Sequence, residues 1–328
     1  MTAVVSHAPV LGPLDSAPMR RKQVLILLLA LLLAAMDGYD ALAMAFAAPS
    51  VSQAWHVSKG ALGLLLASGL FGMGLGAILV SPLADVWGRK RVALCALSLM
   101  TVGSLVCGFA GSVPMLAVGR IITGAGIGVM VAMTTLISAE FSSIKHRSLV
   151  IAGVATVGFP IGGVIGGVGA AFMIRTVGWE WIFLAGAIAG AALFVLVLLL
   201  LPESPAFLIS RRAPDALDKL NHVLGRLGHP AIAALPAASE RQRVSYKELL
   251  APGLGVLTLR LLAINLLIAM AAYYMLNWLP QLIADAGFSA QTASLVSSLS
   301  GLVGIFGGVV LGALAARFPA PRLAGIAM

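Results

Sequence analysis

Residues 181–201 read WIFLAGAIAGAALFVLVLLLL, a run of 21 residues without one charged side chain. About 20 consecutive apolar residues in a helix cross the hydrocarbon core of a bilayer. The strands of a membrane β-barrel would instead alternate apolar and polar residues. The run therefore predicts a transmembrane α-helix.

The composition of the whole chain also indicates a membrane protein. Of its 328 residues, 60% are hydrophobic and 10% are charged, and the mean hydropathy is +1.03. Soluble domains average about 45–50% apolar and about 25% charged residues. These values exclude a water-soluble enzyme, and they exclude a disordered chain, which needs few apolar and many charged residues.

Seven further apolar runs accompany this one, so the sequence predicts an all-α integral membrane protein. The eight predicted spans are 24–48, 61–80, 92–111, 113–138, 149–172, 181–201, 256–279 and 292–316. The first run follows Arg20, Arg21 and Lys22, as a signal peptide would. It exceeds the roughly 7–15 apolar residues of a signal peptide, so we expect it to be a retained helix.

The basic residues lie mainly on one side of the predicted membrane. The formal net charge is +9, and 18 of the 21 Lys and Arg residues lie in segments on the same side as the N-terminus. Lys59 and Arg175 lie on the other side, and Arg120 lies within a span. Cytoplasmic loops are enriched in Lys and Arg. Both chain ends are therefore predicted to be cytoplasmic, and the positive charge does not indicate a nucleic-acid partner.

One long loop divides the chain. We expect a cytoplasmic tail over 1–23, a six-helix half over 24–201, a cytoplasmic linker over 202–255 and a partial second half over 256–328. Within the linker, residues 214–227 are predicted to form either an amphipathic helix on the membrane surface or a merely solvated connector.

Two carboxylates lie in the middle of the first span. Asp37 and Asp40 each cost about 2.5–3.5 kcal/mol at the bilayer centre, and their i, i+3 spacing places both on one helix face. Two carboxylates so close in a low dielectric disfavour each other's ionisation, which suits a group that carries a coupling proton. We predict that the pair lines a cavity; the structural alternative is pairing with bases of neighbouring helices.

Two further charges lie in the fourth span. Arg120 precedes glycines that permit close helix contact; it is predicted to bind a substrate carboxylate or to keep an Asp of the first span ionised. The alternative is that Arg120 extends to the nearer outer surface. Glu140, ahead of Lys145 and Arg147, is predicted to form an interfacial salt bridge.

The seventh span supplies aromatic and amide groups. Tyr273 and Asn277 are four residues apart, so both can face a central cavity. An interfacial aromatic belt would explain Trp278 and Tyr274 without any ligand. Both interpretations remain open at this point.

Nothing in the sequence indicates a metal, a cofactor or an enzyme. Cys95 and Cys107 lie about 18 Å apart along one helix, beyond the reach of a disulfide. The five histidines form no HExxH motif, and no nucleophile–base pair can be assembled.

Two loops repeat a motif. Residues 81–91 read SPLADVWGRKR after the second span, and residues 312–322 read GALAARFPAPR after the eighth. Both lie on the predicted cytoplasmic side, which indicates two parallel repeats. Here the chain resembles the major facilitator superfamily, whose loop reads Gly-x-Leu-Ala-Asp-x-x-Gly-Arg-Lys; Ser81 replaces the first Gly. Residues 120–128, 158–167 and 202–208 are similar to further motifs of that family.

Within this superfamily, the chain most resembles the aromatic acid/proton symporters. Residues 37–40 read DGYD and residues 273–280 read YYMLNWLP. The resemblance implies a monomer in the bacterial inner membrane, with the proton as coupling ion and no cofactor. The residues it implies for proton coupling and substrate binding are Asp37, Asp40 and Arg120. From their spacing and chemistry rather than from the resemblance, we add Tyr273, Asn277 and Trp278 as candidate substrate contacts. Those it implies for gating are Asp85, Gly88, Arg89 and Arg317.

The chain departs from the family in two ways. Ala316 stands where Asp is expected and Pro319 where Gly is expected. Family members have twelve spans, and this chain supplies six plus two, so we expect a C-terminally incomplete carrier that transports weakly or not at all alone.

The leading hypothesis is proton-coupled uptake of a small organic anion by alternating access. The substrate would be an aromatic carboxylate such as benzoate or a hydroxybenzoate. The alternatives are proton-driven efflux of drugs or metabolites, and a truncated remnant that does not transport.

Overall fold

The computed structural model describes residues 17–236 and 254–315, which fold into helices connected by short turns. The long helices are α1 (Arg21–Trp55), α2 (Lys59–Leu79), α4 (Arg89–Gly108), α5 (Val113–Glu140), α7 (Phe159–Thr176), α8 (Glu180–Leu200), α11 (Gly255–Asp285) and α12 (Ala290–Ala315). The short helices are α3 (Ala84–Trp87), α6 (Ile144–Gly153), α9 (Pro205–Arg211) and α10 (Ala216–Leu227).

The predicted all-α membrane architecture is confirmed. Seven segments of the described chain are long and apolar enough to cross a membrane, and they coincide with the first seven predicted spans. The eighth predicted span, 292–316, forms α12 as far as Ala315. A helix satisfies its backbone hydrogen bonds internally, which a segment surrounded by lipid requires.

Contacts between distant residues show which helix ends lie together. Arg89 at the start of α4 meets Glu140 at the end of α5, and His229 after α10 meets Gln23 at the start of α1. These helix ends form what we call the basic end of the bundle. At the opposite end, Lys59 at the start of α2 pairs with Asp285 at the end of α11.

Small residues allow α2 and α5 to approach closely. A Cβ atom added at Gly72 or Gly76 would collide with the backbone of α5, and one added at Gly124 or Gly128 would collide with the backbone of α2. Reciprocal glycines four residues apart permit backbone contact between membrane helices. The glycines after Arg120 therefore serve helix packing.

The fifth span contains a local change of helix type. Its two α-helical parts, α6 and α7, are joined by a π-helical segment, Val154–Gly158, and Pro160 follows at the start of α7. Because α6, the π-helical segment and α7 run on without interruption, Pro160 lies inside one long helix, where it lacks the N–H that would bond to an earlier carbonyl. The π-helical segment lies directly before it, where such an interruption of the hydrogen-bond ladder is expected. This span packs closely against α1, since a Cβ at Gly162 would collide with the Ala35 carbonyl of α1.

The linker differs from both interpretations drawn from the sequence. The predicted amphipathic stretch forms α10, whose apolar side chains are buried against the basic end of the bundle rather than in a membrane surface or in solvent. These side chains are Leu220, Val223, Leu224 and Leu227. Burial of apolar area against an existing core stabilises such a short helix more than its own propensity does. Linker residues 237–253 lie outside the described part of the chain.

Candidate functional site

Asp37 lies at the wall of an internal cavity. Its side chain is buried in the middle of α1, and the cavity beside it has a volume of about 260 Å³. Within the described chain, one Asp37 carboxylate oxygen, Oδ1, has no hydrogen-bond partner. A buried charge without a partner is costly. A ligand that donates a hydrogen bond to this oxygen would remove that cost.

Several helices converge on this cavity. α5 contributes Thr134 and Thr135, α7 contributes Phe159, and α11 contributes Tyr273. The cavity thus joins the N-terminal helices to the first helix of the second half. An aromatic wall with a few polar groups is the usual composition of a small-molecule site.

Asp40 meets different neighbours from Asp37. The Ser104 hydroxyl of α4 donates to Asp40 Oδ1 at 3.4 Å, whereas Oδ2 has no hydrogen-bond partner among the described residues. The i, i+3 spacing predicts that both carboxylates lie on one helix face. In the structure, Asp37 lines a cavity, whereas Asp40 contacts the neighbouring helix α4.

Arg120 extends inward rather than toward the outer surface. Its guanidinium is buried and donates from Nη1 to the Asp40 backbone carbonyl at 2.9 Å and from Nη2 to the Ala41 carbonyl at 3.5 Å. Arg120 is therefore anchored beside Asp40, and it does not line the cavity of Asp37.

The structure separates the predicted residues of the seventh span. Tyr273 lines the cavity. The Asn277 amide instead donates to the Tyr273 carbonyl at 2.9 Å, and the Trp278 ring stacks on Tyr274 with a centroid distance of 6.1 Å. Trp278 also approaches Gly63 of α2. Asn277 and Trp278 thus lie away from this cavity.

Sequence reasoning missed the contribution of α5 and α7 to the cavity. Thr134 and Thr135 form a polar pair within an otherwise apolar stretch of the fourth span, a signal that could have identified them. Both hydroxyls donate to the Val131 carbonyl at 3.0 Å, which leaves their oxygens able to accept a hydrogen bond. Phe159 carries no such signal, because an aromatic residue in a span is usually packing.

A second polar cluster occupies the basic end. The buried Arg89 guanidinium contacts Asp85 Oδ1 at 3.1 Å, Glu140 Oε1 at 3.2 Å and the Ala84 carbonyl at 3.0 Å. Glu140 also accepts a hydrogen bond from the Ser204 hydroxyl. The predicted salt bridge of Glu140 therefore exists, but its partner is Arg89 rather than Lys145 or Arg147.

Gly88 ties this cluster to the linker. Its φ of +94° is strained for other residues, and a Cβ there would force the Glu203 carboxylate to move. Glu203 accepts from the Lys90 backbone N–H at 3.3 Å. Three of the predicted gating residues, Asp85, Gly88 and Arg89, are thus brought together, while Arg317 lies outside the described residues.

Known proteins similar to this chain are membrane transporters. A gallate transporter of Pseudomonas putida is 34% identical over 319 residues, which cover 96% of this chain and 70% of the relative. The 4-hydroxybenzoate transporter PcaK of the same organism is 30% identical over 321 residues, covering 95% of this chain and 70% of the relative.

A solved structure shares the fold. The xylose transporter XylE of E. coli, in a partially occluded inward-open conformation, matches with a TM-score of 0.72 at 19% identity, over 90% of this chain and 71% of that one. The family model described as Major Facilitator Superfamily matches residues 26–328. The chain therefore belongs to the Major Facilitator Superfamily, a family of membrane transporters.

Proposed function

We propose that this chain carries out proton-coupled uptake of small aromatic carboxylates across the bacterial inner membrane, as a monomer with its N-terminus in the cytoplasm. The observation that carries the proposal is the buried Asp37 carboxylate at the wall of a cavity shared by α1, α5, α7 and α11. A carboxylate in that position can bind a proton and release it when the cavity opens to the other side.

Asp40 and Arg120 support this exchange. The Arg120 cation is held beside the Asp40 backbone, a few residues from Asp37. A substrate anion entering the bundle needs compensating positive charge, because an isolated charge at membrane depth is costly. In this proposal Arg120 offsets the substrate charge from its position beside Asp40, without lining the cavity, and the Asp37 and Asp40 carboxylates take up the proton that accompanies the substrate.

The substrate class follows from the cavity and from the relatives. Drug-sized ligands occupy cavities of about 300–1,000 Å³, and a single-ring acid needs less, in keeping with the 260 Å³ observed. Phe159 and Tyr273 offer aromatic contact, and the Thr134 and Thr135 hydroxyls can accept from a ring hydroxyl. Two relatives are named as transporters of gallate and of 4-hydroxybenzoate, both hydroxylated benzoates. These features favour uptake of such acids over efflux of drugs.

Alternating access requires contacts that hold each end of the bundle shut in turn. The Lys59–Asp285 pair joins α2 of the first half to α11 of the second at the end opposite the basic end. The Arg89 cluster lies at the basic end. We infer that the Lys59–Asp285 pair is a closing contact of one gate, and that the Arg89 cluster, whose residues all precede the second half, shapes the first-half side of the opposing gate.

The test is uptake of radiolabelled 4-hydroxybenzoate and gallate into cells that express this chain, Asp37→Asn or an empty vector. We expect accumulation that an uncoupler abolishes and that falls to the vector level in Asp37→Asn. Asp218→Asn is the matched control, because Asp218 is an exposed acid on α10 and its loss should leave uptake unchanged.

Two outcomes would contradict the proposal. Uptake that persists in the presence of the uncoupler would show that transport is not coupled to protons. Uptake by the parent chain at the vector level, with the protein present in the membrane, would show that this chain does not transport these acids.

A further inference from the structure

A second cavity, far from Asp37, opens at the basic end. Its volume is about 800 Å³, and it is lined by residues just after α8, at the start of α4, in α9 and on α10. The bases that line it are Lys90, Arg91, Arg211, Lys219 and Arg226. Neither the proposed transport nor the Arg89 cluster uses these side chains.

Two of the bases converge on one helix terminus. The Lys90 ammonium donates to the Leu198 carbonyl at 2.8 Å, and the Arg226 guanidinium donates to the Leu199 carbonyl at 3.3 Å. The carboxyl end of a helix carries partial negative charge, which explains why two cations assemble there despite their mutual repulsion. The terminus supplies only a fraction of a charge against two full cations.

The acidic residues of the cavity are partly engaged elsewhere. Glu203 accepts from the backbone N–H groups of Lys90 and Ser204, and Asp215 pairs with Lys219. Asp218 is the other acid in the lining. The lining therefore keeps a surplus of positive charge, centred on Lys90 and Arg226, with the donors that an anion needs.

The cation pair sits directly beside a lipid-facing surface. Leu198 and Leu199, whose carbonyls hold the two bases, are 48% and 63% exposed on the last turn of α8. Trp87, which is half exposed, lines the same cavity, and tryptophan favours the headgroup level of a membrane. A cationic site thus lies next to an exposed apolar surface, an arrangement that matches the anionic headgroup and the acyl chains of a phospholipid.

We propose that this cavity binds the phosphate headgroup of an anionic phospholipid, with Lys90 and Arg226 on the phosphate and the acyl chains along Leu198 and Leu199. A lipid held there would link α8 and α4 to α10, and so would fasten the linker to the membrane-spanning bundle.

The test is native mass spectrometry of the full chain, purified in detergent and titrated with phosphatidylglycerol or phosphatidylcholine. We expect phosphatidylglycerol to be retained in preference to phosphatidylcholine. Replacement of Lys90 and Arg226 by Gln should weaken its retention by about fivefold for each base, since a basic residue near an anionic membrane surface contributes about 1 kcal/mol. Arg260→Gln, which removes a base near the start of α11 away from the cavity, should leave retention unchanged.

Two further substitutions test whether the charge of the bases, rather than the folding of the chain, governs retention. The charge-conserving pair Lys90→Arg and Arg226→Lys should keep the preference for phosphatidylglycerol. Equal retention of both lipids, unchanged retention in the Gln double variant, or an equal loss in Arg260→Gln would overturn the proposal. Retention of inorganic phosphate alone as strong as that of phosphatidylglycerol would also overturn it, because the acyl chains would then contribute nothing and the site would recognise free anions.

Discussion

At the scale of single residues, the two adjacent tyrosines of α11 have different surroundings. Tyr273 lines the Asp37 cavity, whereas Tyr274 is 54% exposed and stacks on Trp278. One hydroxyl can therefore reach a ligand and the other cannot. Adjacent positions on a helix point about 100° apart, so such a division is expected once one of them faces inward.

We predict that Tyr273→Phe raises the KM for 4-hydroxybenzoate and that Tyr274→Phe does not. Loss of one hydrogen bond costs about 0.5–1.5 kcal/mol, which corresponds to a rise of about 2- to 13-fold. The measurement is the concentration dependence of initial uptake rates for both variants. Equal KM values for Tyr273→Phe and the parent chain would show that the hydroxyl does not contact the substrate.

Gly162 marks the closest approach of α7 to α1. A Cβ there would collide with the Ala35 carbonyl and approach the Tyr39 backbone N, whereas a Cβ at Gly169 would meet only the end of the Met173 side chain at 3.7 Å. We predict that Gly162→Val lowers stability by about 1–3 kcal/mol, the usual cost of overpacking.

Gly169→Val is the matched control on the same helix, and it should unfold at nearly the temperature of the parent chain. The measurement is thermal unfolding in detergent, followed by circular dichroism. Equal destabilisation by both substitutions would mean that helix propensity, rather than contact with α1, sets the cost.

At the scale of elements, α10 is docked on the bundle through apolar side chains and one polar contact. His229 Nε2 lies 2.9 Å from Gln23 Oε1 at the start of α1. Burial, followed by the positive charge of Arg20, lowers the pKa of His229 below its ordinary value. The folded state therefore favours the neutral imidazole.

This shift predicts a dependence of stability on pH. The unfolded chain binds the His229 proton at a higher pH than the folded chain does. The contribution of neutral His229 to the free energy of unfolding is therefore present above a pH of about 6.5, and it is lost as the pH falls below that value. We expect the unfolding temperature of the parent chain to drop more between neutral and mildly acidic pH than that of His229→Gln.

His222→Gln is the control for this experiment, because His222 is exposed on α10 itself, whereas His229 is buried just after it. It should retain the pH dependence of the parent chain. An identical pH profile for His229→Gln and the parent would show that His229 does not couple protonation to the docking of α10.

At the scale of the whole molecule, an ion pair between described residues joins the two halves at the end opposite the basic end. Lys59 Nζ lies 2.9 Å from Asp285 Oδ2, and the Lys59 side chain is 77% exposed. Such an exposed pair contributes about 0–1 kcal/mol, so it can shift a conformational equilibrium by at most about fivefold. That is enough to bias a gate without locking it.

We predict that Lys59→Ala increases exposure of the interface between α7 and α12. Ser298 is buried there against Gly167, so a cysteine at position 298 reports opening through its rate of reaction with a membrane-impermeant maleimide. The background replaces Cys95 and Cys107 with Ala. The rate should rise up to about fivefold.

A charge exchange provides the control for this prediction. Lys59→Asp combined with Asp285→Lys restores the pair and should return the labelling rate to that of the parent background. A rate that stays raised in the exchanged variant would mean that Lys59 acts through something other than Asp285.

The sequence alone determined the spans, the all-α class and the residues that are costly in a membrane. Hydropathy over about 20 residues is a local property, so helices such as 181–201 need no knowledge of their neighbours. Asp37, Asp40 and Arg120 stood out for the same reason, since a charge among apolar residues is visible in the chain itself.

Only the tertiary structure decided which of these residues share a site. Glu140 pairs with Arg89, 51 residues away in the sequence, rather than with the nearby Lys145. Tyr273 lines the Asp37 cavity, whereas Asn277 and Trp278 do not. The buried face of α10 was likewise decided by what it packs against. Contacts between residues far apart in the sequence are set by how each helix is rotated and by the angle at which it crosses its neighbours. Rotation and crossing angle depend in turn on the small residues of all the neighbouring helices.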